Sequence, residues 1–446
     1  MNMQFEVPVV RSKDVLVVGG GCAGVSAAVC AARHGAKVLL AEANGCLGGM
    51  ATMGLIGPFM TSYDPAGKRQ VIKGFFDEFV RRMVQLGGAI PPEDCRAGEG
   101  TCGFRVAGHD HCCTFSPETY KVVAEEMCEE AGVELLYNAH FVHAVLSEAE
   151  DRISGAVFST KAGLIMIEAK VVIDCTGDAD VAFESRVPIA YGDDKGTTQP
   201  ASLFFILDGA NKDRMEHARL HEGADMVFQD IVRREIAEGR YHIPRDKIGL
   251  YECPNGAFRV NMSRVQMKDG CDPFEVTKAT IAARKQFPEI LDLIHRLVPG
   301  CENTYLVTSA PMLGQRETRR IQGDFVLTGD DLRAVKRFDD DVFLAGSSID
   351  MHEATSGTYV PAQGEAYGVP YRVLLPRKVK NLLVAGRSVS MDREALAALR
   401  VMPPVFAMGQ AAGTAAAICV SDDCDPAKIN ISSLQSMLKT DGVVLE

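Results

Sequence analysis

The 446-residue sequence has no block rich in Lys and Arg and no stripe of interleaved basic and aromatic residues. Its formal net charge is −12. Phosphate backbones are bound by clustered cations, so a nucleic-acid partner is not expected. No apolar run reaches the ~18 residues of a membrane span. The start, MNMQFEVPVVRSKD, lacks a basic stretch followed by an apolar one, so no secretory leader is expected. Arg81 and Arg82 lie too far inside to be an export signal. The expected location is the cytoplasm. Low-complexity segments and useful internal repeats are also missing. The chain is 47% hydrophobic and 24% charged, as in globular proteins with a large core, and its length allows two or three domains. The 14 cysteines are scattered, many of them in apolar segments, as small buried hydrophobes would be.

What is present begins at Asp14: DVLVVGGGCAGVSAAVCAARHGAKVLLAEA. An apolar strand, Val15 to Val18, runs into Gly19, Gly21 and Gly24 at GxGxxG spacing. The first glycine allows the turn, the second lets backbone approach a pyrophosphate, and the third lets helix pack on strand. Helix N–H groups and the helix dipole then hold the diphosphate. A second strand, Val38 to Ala41, ends in Glu42. That carboxylate falls about 20 residues on, where it accepts ribose hydroxyls and disfavours a 2′-phosphate. The pattern is a dinucleotide site.

Gly48, Gly49 and Met50 follow in NGCLGGMAT, a second place for close backbone approach. Val171–Val172–Ile173–Asp174–Cys175 is an apolar strand running into Thr176, Gly177 and Asp178. Asn381 to Ala385 is a third, leaving through Gly386 and Arg387. Met402–Pro403–Pro404 then opens a helix of small residues that includes Gly409 and Ala411. Proline suits a first helical turn, and the helix N-terminus is a source of positive potential.

These segments, with FSPETYK, GQRETRRIQGDFVLT and YGVPYRVLLP, resemble the FAD-dependent oxidoreductase family, whose flavin fold is shared with the fumarate reductase and succinate dehydrogenase flavoproteins. The resemblance spans nearly the whole chain. It implies FAD as cofactor, held at the glycines, Glu42 and the later motifs just named, with the last helix's N-terminus facing the flavin N1–C2=O edge. It does not imply one substrate. The implied fold is α/β: a Rossmann-like, glutathione-reductase-type FAD-binding domain with an antiparallel β-meander and an inserted α+β substrate or cap domain. The expected boundaries are 1–187 and 336–446 for the discontinuous FAD-binding domain and 188–335 for the cap. The periodicity predicts helices over Lys73–Leu86 and Pro117–Ala131, the latter capped by Ser116, and a meander over residues 140–169. In the cap it predicts a strand at Ser202–Leu207 and helices over Arg214–Gly239 and Pro273–Val298. Pyridine-nucleotide disulfide reductases carry a second dinucleotide fingerprint and usually a redox CxxC or CxxxxC; here only one complete fingerprint, with its strand, helix and acidic partner, is read. No separate NAD(P) domain is expected.

A flavin performs hydride transfer itself, while protein groups orient substrate and move protons. Arg316, Glu317, Arg319 and Arg320 form a dense polar cluster. Arg316 and Arg319, three apart, either fork onto a substrate carboxylate or clamp cap to FAD domain through salt bridges. Arg400 either approaches the flavin pyrimidine edge or pairs with Glu394 or Asp392. His352, with Glu353 in a Gly/Ser-rich loop, is a candidate proton donor or a solvated loop histidine. Tyr359, Tyr371 and Arg372 are weaker candidates.

Between Cys95 and Cys113 lie four thiols and two imidazoles, His109 and His111. Their spacings match no standard metal site, and the favoured reading is a loop over the active site with incidental cysteines. The function expected is hydride transfer between flavin N5 and a small, polar or anionic organic molecule, with an external electron carrier or partner protein completing the cycle. The alternative is a flavoprotein electron-transfer or thiol-redox subunit of a larger complex using the Cys95–Cys113 loop. A homo-oligomer is compatible with either.

Overall fold

The computed structural model describes residues 6–95, 111–222, 228–353 and 357–446. The first βαβ unit is β1 (Val9–Val18), α1 (Cys22–Arg33) and β2 (Val38–Ala41). β1 pairs with β2 in parallel, from Val15 opposite Val38 to Val18 opposite Ala41. The residues of both segments, Val15–Val18 and Val38–Ala41, are buried, as in the centre of a parallel sheet. Next come α2 (Phe75–Gln85), α3 (Pro117–Glu130), β3 (Glu134–Leu136), β4 (His140–Leu146), β5 (Ile153–Thr160) and β6 (Gly163–Asp174). Ser116 caps α3 by accepting from the Thr119 N–H at 3.4 Å. The spatial order is β3-β2-β1-β6-β5-β4. The meander and the Val171–Cys175 strand, separate in the sequence reading, merge. β6 is one 12-residue strand, antiparallel to β5 from Gly163 to Glu168 and parallel to β1 from Met166 to Asp174. Nothing at Lys170 interrupts the extended backbone.

After α4 (Asp180–Glu184) and β7 (Ile189–Tyr191) a second core begins. Its elements are β8 (Phe205–Asp208), α5 (Lys212–His221), α6 (Gln229–Ala237), β9 (Leu250–Glu252), β10 (Phe258–Val260), α7 (Pro273–Lys285), α8 (Phe287–Leu297) and β11 (Tyr305–Ser309). The four strands form an antiparallel sheet, β11-β8-β10-β9. Two sequence expectations are corrected. The helix expected over Arg214–Gly239 is two, α5 and α6. The one expected over Pro273–Val298 breaks at Gln286, because Pro288 has no N–H for the preceding turn and is tolerated only where a helix restarts. The core of this unit draws on Leu55 and on residues from Ala201 to Leu313, whereas Ile321, Leu327 and Leu332 pack into the first core.

The chain returns through β12 (Arg319–Ile321), paired with β7, then α9 (Gly329–Arg333), β13 (Asp341–Ala345), β14 (Ile349–His352), β15 (Gly357–Val360), β16 (Tyr367–Pro370) and β17 (Leu382–Val384). β13 pairs with β16 and β14 with β15. β17 joins the main sheet parallel to β6. The last helices are α10 (Arg393–Leu399), α11 (Met402–Asp422) and α12 (Ile431–Thr440).

α11 lies against α1 at close range. A Cβ on Gly409 would stand 2.2 Å from the Ala23 carbonyl oxygen, and one on Gly413 2.2 Å from that of Ala27. Ser26 Oγ donates to the Phe406 carbonyl at 2.8 Å. Contrary to the sequence expectation, α11 is long and apolar enough to cross a membrane by length and composition (21 residues, mean hydropathy 1.3), but 83% of that apolar window is buried inside the protein.

Candidate active site

Gly19 has φ +99°, the left-handed region that favours glycine, and a Cβ on Gly24 would stand 1.8 Å from the Gly19 carbonyl oxygen. A Cβ on Gly21 would meet nothing within 4 Å. The turn is therefore tight everywhere except where a diphosphate would approach. Gly48 forms the far wall: its N–H donates to the Gly20 carbonyl at 2.8 Å, and a Cβ on Gly49 would stand 3.2 Å from Gly21 Cα. Met50 follows in the same short turn, Gly49–Ala51. Glu42, 5% exposed, ends β2 and accepts from the Gly20 N–H at 2.6 Å and from the Asn44 side chain at 2.6 Å. Open space at Gly21 beside a buried carboxylate fits a ribose-diphosphate.

At the end of β6, the fully buried Asp174 accepts from Thr176 Oγ1 at 2.7 Å, the Thr176 N–H at 3.1 Å and the Ala182 N–H at 3.0 Å, which shapes the Thr176–Gly177 turn. Arg387 straddles this turn, donating to the carbonyls of Gly177 (2.7 Å) and Gln315 (2.5 Å) and to Asp178. Arg319 donates to Asp180 at 2.6 Å and stacks over Phe183 at 4.5 Å. Burial, with Asp178 and Asp174 close by, pushes Asp180 up to about 6 despite that pairing. Arg319, expected either at a substrate carboxylate or in a salt-bridge clamp, thus ties β12 to the acidic turn.

Gly386 leaves β17 at φ +109° beside Ala23. Met402 opens α11 with Val401 as N-cap and prolines in the first turn. Gly409 and Ala411 lie further along. The first fills the contact with α1 and the second is fully buried in the core, so both are packing positions away from the helix N-terminus.

A second constellation gathers where α10, β14 and the second core meet. Arg400, at the end of α10, donates to the Asp350 carbonyl at 3.0 Å and lies 3.7 Å from its carboxylate. It does not pair with Glu394, which binds Arg333, or with Asp392, which caps α10. Arg316 donates to the Pro200 carbonyl at 2.6 Å and to Ser202 Oγ at 3.1 Å. His352 is not in a loop but ends strand β14. Its Nε2 is 2.9 Å from Asp350 Oδ2, and its Nδ1 is 3.2 Å from Arg264 Nη2. A guanidinium can only donate, so Nδ1 accepts and Nε2–H donates to Asp350; the hydrogen-bond network assigns a neutral ring. Burial first, then Arg316 and Arg400, push His352 down to about 3. In the free site the ring is thus the neutral form, its one N–H engaged by Asp350.

Arg245, whose guanidinium donates to the Asn261 carbonyl at 2.7 Å, and Lys247 complete the group. Burial, aided by Arg400 and Arg245, weakens the hold of Arg316 on its proton, and burial with Arg245 does the same to Lys247 and Arg264. Burial opposes the charge of Asp350, yet His352, Arg400 and Arg316 hold its carboxyl well below the usual range. Nearby carboxylates are already engaged, Asp246 by Gln229 and Arg233, and Glu317 by Arg320 and Arg393. Five cations thus face one carboxylate. Arg245 Nε, Arg400 Nε and Gln199 Nε2 are buried without a hydrogen-bond partner among the described residues. Asp350 keeps 43% of its side chain exposed, so the group borders accessible space. Arg245, Lys247, Arg264 and Asp350 escaped the sequence reading; they are isolated residues in unremarkable surroundings, joined only by the fold.

The weaker candidates have other contacts. Tyr359 donates to Ser348 Oγ at 3.1 Å, Tyr371 to the Pro426 carbonyl at 3.0 Å, and Arg372 lies 3.4 Å from Asp340. Cys102 and His109 lie outside the described residues. Cys95, Cys112 and Cys113 are buried and form no disulfide, and burial pushes the Cys113 thiol well up, which makes that thiol inert. Cys419 and Cys424, which do have CxxxxC spacing, are free thiols at the far end of α11. Among the described residues no group of three or more His, Cys, Asp or Glu side chains could hold a metal.

The fold and the cradle define a flavin-type dinucleotide enzyme. The chain belongs to the FAD dependent oxidoreductase family, which matches residues 14–438. It is an FAD-dependent oxidoreductase with FAD as its cofactor. A search of curated protein sequences finds no match. Among solved structures, it is similar to a geranylgeranyl bacteriochlorophyll reductase-like protein from Thermoplasma acidophilum (12% identity, 96% of this chain and 84% of that chain, TM-score 0.45). It is also similar to p-nitrophenol 4-monooxygenase PnpA from Pseudomonas putida (12%, 97% and 81%, TM-score 0.45) and to the flavin-dependent brominase Bmp2 (12%, 96% and 83%, TM-score 0.47). Likenesses this distant carry no argument about substrate.

Proposed function

We propose that this enzyme transfers a hydride between flavin and a small anionic organic substrate, held where Arg245, Lys247, Arg264, Arg316 and Arg400 converge on Asp350. The observation that carries this is the charge imbalance. Buried like charges repel in a low dielectric, and an anion is the ligand that relieves them. The guanidinia can fork onto a carboxylate or similar group and orient it. Gly19, Gly21, Gly24 and Glu42 hold the dinucleotide, with Gly48 and Gly49 walling it. When bound, FAD supplies the centre that accepts or donates the hydride. Water is the other proton partner, and an external carrier or partner protein balances the electrons.

In this reading the flavin part is of the glutathione-reductase type and comprises residues 1–187 and 336–446. Residues 188–335 are the substrate cap, although the second core itself closes at Leu313. The test is anaerobic: FAD-loaded protein is mixed with carboxylate-bearing alcohols, or pre-reduced and mixed with carboxylate-bearing alkenes, and flavin absorbance is followed. Bleaching or recovery that is lost in Arg316→Met and Arg400→Met, with FAD content unchanged, supports the reading. Equal rates in wild type and both variants would sink it.

A further inference from the structure

His352 is held by two opposite partners. Asp350, two residues away on β14, accepts from Nε2–H, and Arg264, from the segment after β10, donates to Nδ1. The backbone is pinned too, the His352 N–H donating to Gln199 Oε1 at 3.2 Å. The charged groups facing the ring are Asp350 and Glu353 on its own segment, Arg264, Arg245 and Lys247 from the second core, Arg316 from the segment before β12, and Arg400 from α10. The ring is therefore a neutral wedge between Asp350 on one side and Arg264 on the other. Arg264 Nη1 holds the Glu353 carbonyl at 3.0 Å, so this guanidinium bridges the ring and the strand end.

Resting on the anionic-substrate reading, we infer that the anion gates His352: it draws Arg264 off Nδ1, and the freed nitrogen takes a proton from solvent. The exchange balances. One N–H···N hydrogen bond breaks and one Arg–anion hydrogen bond forms. A proton moves from water to Nδ1, and the resulting imidazolium stays paired with Asp350 through Nε2–H. Arg264 is a positioning residue; His352 becomes able to give up a proton only when the site is filled. The electrostatics agree, since the cations that push the free ring down to about 3 are partly neutralised by the ligand. Protonation is thereby confined to the loaded enzyme, which keeps a proton donor away from the flavin site while it is empty.

The test uses FAD-loaded protein and sulfate, which does not itself titrate between about pH 5 and 6.5, the upper end being the ordinary histidine value. Sulfate binding is followed by the flavin spectrum, and proton uptake by calorimetry in two buffers of different ionisation heat. The expected result is uptake approaching about one proton per sulfate, with affinity rising up to about tenfold per pH unit as pH falls. In His352→Gln sulfate still binds but the slope disappears. In Arg264→Met the slope shrinks, because the free ring is already open to protonation. Sulfate binding without uptake in the wild type, an undiminished slope in His352→Gln, or an unchanged slope in Arg264→Met overturns the gating and leaves the anion site standing. Failure of both sulfate and acetate to perturb the flavin at any pH overturns the anion reading itself, and the gating with it.

Discussion

Glu317 tests how the polar segment before β12 is held. Its side chain is fully buried, and its carboxylate accepts from Arg320 at 2.6 Å, from Arg393 at 2.9 and 3.0 Å and from the Gln199 N–H at 3.0 Å. Replacing it with alanine strands Arg320, whose side chain is 5% exposed and whose other acceptors are the neutral carbonyls of Met391 (3.1 Å) and Gly192 (3.3 Å). Two effects compete. Desolvating the carboxylate is costly, so the intact cluster contributes little net stability. Removing one partner instead leaves an uncompensated buried charge, at about 3–5 kcal/mol. The second effect decides the single mutant. Glu317→Ala is expected to lose that amount in urea unfolding of FAD-loaded protein, at a fixed excess of FAD because ligand shifts apparent stability. The double change Glu317→Ala with Arg320→Met should lose less than the single one, since the stranded cation is gone. Glu150→Ala breaks an exposed pair, 59% and 71% open, and should leave the transition where it is. A Glu317→Ala loss below about 1 kcal/mol, the range of surface pairs, would refute the reasoning.

Gly21→Ala and Gly24→Ala should separate. The first adds a methyl to open space and leaves the apoprotein's melting unchanged while weakening FAD by about tenfold or more; the second drives a methyl to 1.8 Å from the Gly19 carbonyl and should lower both apoprotein stability and flavin content after desalting. Equal behaviour of the two would contradict the assigned geometry. Glu42→Ala removes a charged acceptor for ribose, a contribution of about 1.5–3 kcal/mol, and should raise the FAD dissociation constant in fluorescence titration; an unchanged constant would count against the ribose role. His352 in the ligand-free protein is a basic group whose folded value lies below its unfolded one, so the unfolded chain binds the extra proton and stability falls as pH drops from about 6.5 toward 3. His352→Gln should flatten that fall by up to about 1.4 kcal/mol per pH unit, as read by urea unfolding at stepped pH; an unaltered slope would show that the ring is not buried neutral.

The cofactor half was legible because its chemistry is local. Gly19, Gly21 and Gly24 lie within one turn, and Glu42 reaches that turn from the end of the next strand. Sequence spacing there is nearly the same thing as spatial arrangement. Helix breaks were less legible. Apolar periodicity runs through Gln286 on both sides and reads as one helix, whereas the missing N–H of Pro288 is a single local feature that outweighs it.

The proposed anion site was only half legible for a different reason. Arg316 and Arg400 stood out because they adjoin motifs, whereas Arg245, Lys247 and Arg264 come from loops of a separate core with no pattern around them. Local sequence shows no need for them. The need is electrostatic and arises only when β14, the end of α10 and the second core are brought together around Asp350. In the same assembly Arg319, three residues from Arg316, takes the salt-bridge alternative. The segment bends at Arg316 and is a strand only from Arg319, not a helix, so a spacing of three does not put the two guanidinia on one face. Arg316 turns toward the cations around Asp350, and Arg319 toward Asp180 and the Thr176–Gly177 turn. One short segment thus carries a group of each site, with the buried Glu317 fixing it between them.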